Sequence, residues 1–130
     1  MCCKNTNAKE THFGACCSRP DLYGIIIPGK HGKLLATLYT AGGEGPHPTI
    51  LLLHGIPGSE QNLDLAQAFR RAGFHVMTFH YSGSWGSSGN YSLQNDLDDA
   101  ETVLDFILND TTYNFDKEKI YAAGHSLGGF

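Results

Sequence analysis

Near the end of the chain, Gly124-His125-Ser126-Leu127-Gly128 sets a hydroxyl nucleophile among small residues, directly after the apolar run Ile120-Tyr121-Ala122-Ala123. A serine hydroxyl attacks poorly at neutral pH until a base takes its proton, and the base must itself be oriented by an acid. The chemistry such a serine then performs is acyl transfer, whose tetrahedral intermediate needs N–H donors aimed at its oxyanion. The spacing predicts a strand, a strained turn bearing Ser126 and the start of a helix, with Gly124, Gly128 and Gly129 giving clearance where side chains would clash. A flexible serine-bearing loop is the plainer alternative in a chain with 16 glycines. The apolar lead-in favours the turn.

A second stretch fits the same chemistry. Thr49 to Leu53 is followed by His54-Gly55-Ile56-Pro57-Gly58. Gly55 permits a sharp bend, Pro57 has no N–H, and the Ile56 N–H is left to point inward. The Leu127 N–H, at the head of the helix after the serine, is the other candidate donor. An ordinary strand-to-helix turn also accounts for Gly55 and Pro57, but not for the matching serine turn two strands later. Ser126 is thus the candidate nucleophile, and Ile56 and Leu127 the candidate oxyanion donors. His54, His75, His80 and His125 read as structural. His75 and His80 differ by an odd number along one strand and face opposite ways, which counts against a joint metal site. Asp96, Asp98 and Asp99 read as a solvated helix face. No metal or other cofactor is expected.

The elements that must position these residues follow from pattern. Residues 1 to about 20 are polar and without periodicity, a poorly ordered lead-in to a single domain over residues 21–130. Leu22 to Ile27 and Lys33 to Thr40 flank Pro28-Gly29-Lys30-His31-Gly32 and form a hairpin. Thr49 to Leu53 is a continuous apolar run, as in a central parallel strand covered on both faces. Ser59 is a candidate N-cap for a helix reaching about Ala72, with Leu63, Ala66, Phe69 and Arg70 at helical spacing and Gly73 as its stop. His75 to Tyr81 is the next strand, followed by a glycine-serine loop around Trp85. Ser92 caps a second helix in which Leu93, Leu97, Ala100, Leu104 and Leu108 form the inner stripe and the acids face water. Asn114 to Lys119 is a turn, and Ile120 begins the strand before Ser126. Strand and helix alternate from residue 49 onward, which implies a parallel sheet with right-handed crossovers.

Composition bounds the partners. The 130 residues carry a net charge of −4, with no basic cluster to bind nucleic acid or an anionic membrane. The longest apolar runs are too short to cross a bilayer, and the N-terminus lacks the apolar core of a secretory signal, so a cytoplasmic protein is expected. Cys2, Cys3, Cys16 and Cys17 form two adjacent pairs without the two-residue gap of zinc sites. They read as reduced thiols, with zinc binding alongside His12 or palmitoylation of Cys2 and Cys3 as alternatives.

Leu51 to Ser59, His80 to Gly89 and Ile120 to Gly129 together resemble the N-terminal half of an α/β-hydrolase, over about residue 22 to the end. Within that superfamily, the loop Tyr81-Ser82-Gly83-Ser84-Trp85-Gly86-Ser87 is similar to that of the serine aminopeptidase-like and dienelactone hydrolase-like groups, where an arginine is common at the position of Ser82. The resemblance implies an α/β-hydrolase fold ending after the nucleophile turn, and a catalytic acid and histidine that follow Ser126 on later strands. It implies a serine hydrolase of ester, amide or related acyl compounds in its full-length form, with the 130 residues alone inactive and their open sheet edge prone to self-association. Trp85 either lines the acyl pocket above Ser126 or caps the core beside the second helix. The alternative from another class is a non-catalytic pseudo-hydrolase that binds a small ligand or is completed by a partner chain.

Overall fold

The computed structural model describes residues 19–55 and 62–129. Ile56, Pro57, Gly58 and Ser59, together with the four cysteines, lie outside the described residues. Five strands form one sheet in the order β1-β2-β4-β3-β5, comprising β1 (Asp21–Pro28), β2 (Lys33–Thr40), β3 (His47–Leu53), β4 (His75–Phe79) and β5 (Phe115–Gly124). β1 and β2 are the expected antiparallel hairpin, in register from Asp21 opposite Thr40 to Pro28 opposite Lys33. β2 continues antiparallel onto β4, while β3 pairs parallel with both β4 and β5. The parallel half is thus the part built from crossover helices, α1 (Leu63–Arg71) between β3 and β4 and α2 (Leu93–Asn109) between β4 and β5.

Strand alternation sorts the core onto two faces. Ile50, Leu52 and Val76 pack with Tyr39 and the buried Ala66 of α1. Leu51, Met77 and Phe79 pack on the other face with Leu34, Leu38 and α2's Val103 and Ile107. Helices therefore cover both sides of the sheet, which is why Thr49 to Leu53 reads as an uninterrupted apolar run.

Four sequence expectations are corrected. Asn114 to Lys119 is not a turn, because β5 begins at Phe115, which pairs with His47 before a register shift brings Ile120 opposite Thr49. α1 starts at Leu63, with Asn62 in the left-handed region at its N-cap, and Leu63 lies exposed instead of on the inner face. The largest correction concerns α2. Ser92 caps it as expected, its hydroxyl accepting the Asn95 N–H at 3.1 Å, but the buried face is Asp96, Asp99, Val103 and Ile107. Leu93, Leu97, Leu104 and Leu108 are all exposed. The helix carries two apolar stripes, and the sheet takes the one holding the β-branched pair. Leu97 and Leu104 instead border a groove of about 430 Å³ whose other wall includes Leu51, Leu53, Ile120 and Ala122. Finally, Asp96 and Asp99 do not face water. Of the three carboxylates, only Asp98 reaches the surface, where it meets Lys30 at 3.7 Å and His31 at 2.7 Å.

Candidate active site

The carboxyl ends of the three parallel strands meet at one edge. β3 runs into His54 and Gly55, β4 into the loop from His80 to Asn90, and β5 into Ser126. Ligands bind at this edge in open α/β sheets. Ser126 has φ 56°, a left-handed conformation rare for a residue with a side chain, and it opens a short 3-10 turn, Ser126–Gly129. Backbone bonds hold the corner: the His125 N–H donates to the Leu53 carbonyl at 3.2 Å, and the Gly128 N–H to the His125 carbonyl at 3.0 Å. The strained serine is therefore tied back to β3.

The flanking glycines are required by close approach. A Cβ at Gly124 would run into the Gly128 carbonyl, and one at Gly128 into the carbonyl of Leu53. Gly55 stands on the other side. A Cβ there would lie 2.9 Å from the Ser126 Cβ and 3.0 Å from the His125 oxygen. The two glycine-rich stretches separated in sequence are thus in contact, and Ser126 is exposed at their junction. Leu127 follows it in the 3-10 turn. Ile56, the other expected donor, falls outside the described residues.

Beneath Gly55 lies a polar cluster that takes in His54, read from the sequence as structural, and an acid, Asp99, read as solvated. His54 is 6% exposed, and its Nδ1–H donates to the Gly55 carbonyl at 2.8 Å. Its ring stacks 4.4 Å from Tyr81 and 5.6 Å from His80. Burial, followed by the Asp96 charge, pushes the Tyr81 hydroxyl up to about 12. Burial and then His54 lower His80. Asp99, with no exposed surface, accepts the Ser82 N–H at 2.6 Å and the Ser82 hydroxyl at 2.9 Å. Ser82 thus satisfies the buried carboxylate by hydrogen bonds. Asp96, Asp99, Val103 and Ile107 recur at helical spacing, a second stripe that competes with the leucines and that the sheet receives.

The loop after β4 is held without strand pairing. The Ser87 hydroxyl accepts the Leu35 N–H at 2.9 Å and donates to the His80 carbonyl at 2.8 Å, and the Ser88 N–H donates to the Lys33 carbonyl at 2.9 Å. Trp85 projects from this loop 57% exposed, with φ 45°. It therefore does not cap the core. His75 and His47 sit at the opposite edge of the sheet. The Ala41 N–H donates to His75 Nδ1 at 3.0 Å, and His75 Nε2–H donates to the Tyr113 carbonyl at 2.9 Å.

The family described as "Protein of unknown function (DUF1749)" matches residues 52–129, more than half of the chain and the whole of the region just described except its first strands. The chain belongs to that family. Its relatives and structural neighbours place it in the α/β-hydrolase superfamily. It is 38% identical over 86 residues to the lysophosphatidylserine lipase ABHD12 of Gallus gallus, a match covering 63% of this chain and 21% of the lipase. Among solved structures, an α/β serine hydrolase without lid from Xanthomonas campestris superposes with a TM-score of 0.67 at 19% identity, over 83% of this chain and 52% of that one. The Pyrococcus furiosus esterase Pf2001 superposes with a TM-score of 0.71 at 17% identity, over 84% and 43%. These likenesses give the fold: the sheet described here is the N-terminal half of an α/β-hydrolase. The chain spans about a fifth of the lipase's length. No described helix is long and apolar enough to cross a membrane.

Proposed function

We propose that this chain carries the nucleophile and oxyanion side of a serine hydrolase acting on carboxylic esters or related acyl compounds. The observation that supports this most is the left-handed, exposed Ser126, tied to β3 and packed against Gly55. In the proposed reaction the Ser126 hydroxyl adds to the acyl carbonyl as a general base takes its proton. Negative charge on the carbonyl oxygen is met by the N–H groups of Leu127 and Ile56. The tetrahedral species expels the alcohol or amine, which receives the proton, and leaves an acyl-Ser126 ester. Water then adds by the same route and releases the acid and the free serine. His54 is not assigned as the base in this reading, because its ring is buried beneath Gly55. The base and its acid come from residues outside this arrangement.

The lipase name of the relative and the position of Trp85 support a substrate with an acyl chain. In this reading Trp85, an exposed indole on a loop at the substrate edge of the sheet, supplies apolar surface to that chain. Reacting the full-length protein with a fluorophosphonate should label Ser126. Ser126→Ala should abolish labelling and lower kcat for p-nitrophenyl ester hydrolysis by about 10⁴-fold or more. Turnover that survives Ser126→Ala would refute the assignment.

A further inference from the structure

The loop that carries Trp85 leaves the sheet at an interrupted strand pair. Leu35 and His80 continue the register of β2 and β4 one step past Ala36 and Phe79, and a hydrogen-bonded pair in an antiparallel sheet exchanges two backbone bonds. One is made directly, the His80 N–H donating to the Leu35 carbonyl at 3.0 Å. The return bond passes through Ser87, whose hydroxyl accepts the Leu35 N–H at 2.9 Å and donates to the His80 carbonyl at 2.8 Å. Ser87 is 7% exposed, so this relay is enclosed. Ser88 then takes over as the partner of β2, its N–H donating to the Lys33 carbonyl at 2.9 Å and its hydroxyl accepting the Lys33 N–H at 2.6 Å. Residues 81–86 are thus a short excursion fastened to β2 at both ends.

At the tip of that excursion the backbone is strained. The Ser84 carbonyl accepts the Ser87 N–H at 2.9 Å and closes a four-residue turn whose central residues, Trp85 and Gly86, have φ 45° and 95°. Two positive φ values in succession are those of a type I′ turn, a place for glycine, asparagine or aspartate. Gly86 suits it, and a Cβ there would lie 2.8 Å from Leu35 Cδ1, so the turn rests directly on β2. Trp85 does not suit it. A bulky side chain at positive φ is strained, and an indole left 57% exposed regains little by burial. Glycine would serve the turn better. Strain kept in an exposed aromatic residue at the ligand-binding edge of the sheet points to use and not to stability.

We propose that this turn selects the acyl group of the substrate: Trp85 is the apolar surface on which a medium or long acyl chain lies, and Ser87 is the positioning residue that holds it there. The proposal rests on the serine hydrolase reading for the class of substrate. Ser87 touches no substrate and acts through Trp85. Without its hydroxyl, the Leu35 N–H and the His80 carbonyl are left to bond each other directly, which draws the start of the loop onto β2 and moves the indole.

The test is the ratio of kcat/KM for p-nitrophenyl octanoate to that for p-nitrophenyl acetate in the full-length protein, measured together with each variant's urea midpoint. Trp85→Gly should lower the ratio about tenfold, with a midpoint equal to or above that of wild type because the strain is relieved. A purely structural tryptophan would move the midpoint down and leave the ratio alone. Ser87→Ala should lower the ratio when Trp85 is present and leave it unchanged when Trp85→Gly is already in place. A ratio that Trp85→Gly leaves as in wild type overturns the proposal, with no need for Ser87→Ala to fold. A ratio that Ser87→Ala leaves unchanged, or lowers equally with and without Trp85, overturns the positioning role. Turnover that survives Ser126→Ala refutes the hydrolase reading alone, and its chain-length ratio still decides the turn. Where neither ester is turned over, the hydrolase reading fails and sodium octanoate decides the turn: a blue shift in the emission of Trp85, the one tryptophan of the 130 residues, supports it, and an unshifted emission overturns it.

Discussion

At the corner between β5 and the 3-10 turn, single atoms decide the geometry. Gly55 and Ser126 approach so closely that a methyl group at residue 55 must displace either the serine or the His125 carbonyl, and neither is the far end of a flexible side chain. Gly55→Ala in the full-length protein should therefore lower kcat by roughly 10²-fold while KM changes little, as steady-state kinetics would show, because a nucleophile moved by a fraction of an ångström loses its line of attack. Asp99 is the corresponding residue for stability. It accepts both the amide and the hydroxyl of Ser82 in a site without solvent. Asp99→Ala leaves both donors unpaired and should cost about 3 kcal/mol by urea denaturation, more than Ser82→Ala, at about 1 kcal/mol, where only the hydroxyl bond is lost. Both acids of α2 that look like surface residues in the sequence are thus internal. For Asp99 the reason is that a carboxylate with donors supplied by another element is cheaper to bury than its type suggests, and those donors come from a loop ten or more residues away.

α2 shows why element type is easier to read than element orientation. Its existence, its cap at Ser92 and its length were legible from spacing and from the turn residues before it. Its facing was not, because two apolar stripes run along it and periodicity cannot say which one the sheet receives. The leucine stripe is the longer and more regular, yet it borders the open groove, while Val103 and Ile107 are wholly buried. The two stripes should separate cleanly in denaturation experiments. Ile107→Ala should cost about 2–5 kcal/mol, the range for emptying a filled core position. Leu93→Ala, at a position 61% exposed, should stay within about 0.5 kcal/mol. Similar reasoning covers the start of β5. Asn114 to Lys119 was read as a turn, but pairing of Phe115 with His47 starts the strand there, and the register shift before Ile120 accommodates the charged residues between them.

Across the molecule, the histidines at the far edge of the sheet make stability depend on pH. His75 accepts the Ala41 N–H on Nδ1, so adding a proton there would break that bond. Burial first, and then the neighbouring His47, lower its pKa to about 4. Because the folded value lies below the ordinary value of about 6.5, the unfolded chain binds a proton between pH 4 and 6.5 that the folded chain does not. The contribution is fully present above about pH 6.5 and is lost as pH falls toward 4, by on the order of 2 kcal/mol. His80, lowered by burial, acts in the same direction. The urea midpoint should fall over that window, and His75→Gln, whose amide oxygen can accept the Ala41 N–H without titrating, should flatten the slope. An unchanged slope in the variant would assign the dependence to other groups.

By itself the sequence determined the fold class and the place of the candidate nucleophile Ser126. Apolar run, glycine and serine at fixed spacing leave few backbone solutions, and the repeated strand-helix alternation leaves one sheet type, so the turn at Gly124 to Gly129 and the parallel arrangement of β3, β4 and β5 were legible, though not the start of β5 or the facing of α2. What the tertiary structure alone decided is contact between distant segments. Gly55 meets Ser126 some seventy positions away only because β3 and β5 are neighbours in the sheet. Asp99 finds Ser82, and Asp96 is buried, only because α2 turns its acidic end inward against the loop after β4. Local spacing constrains the backbone, whereas the environment that makes a carboxylate structural instead of solvated is set by which elements pack together.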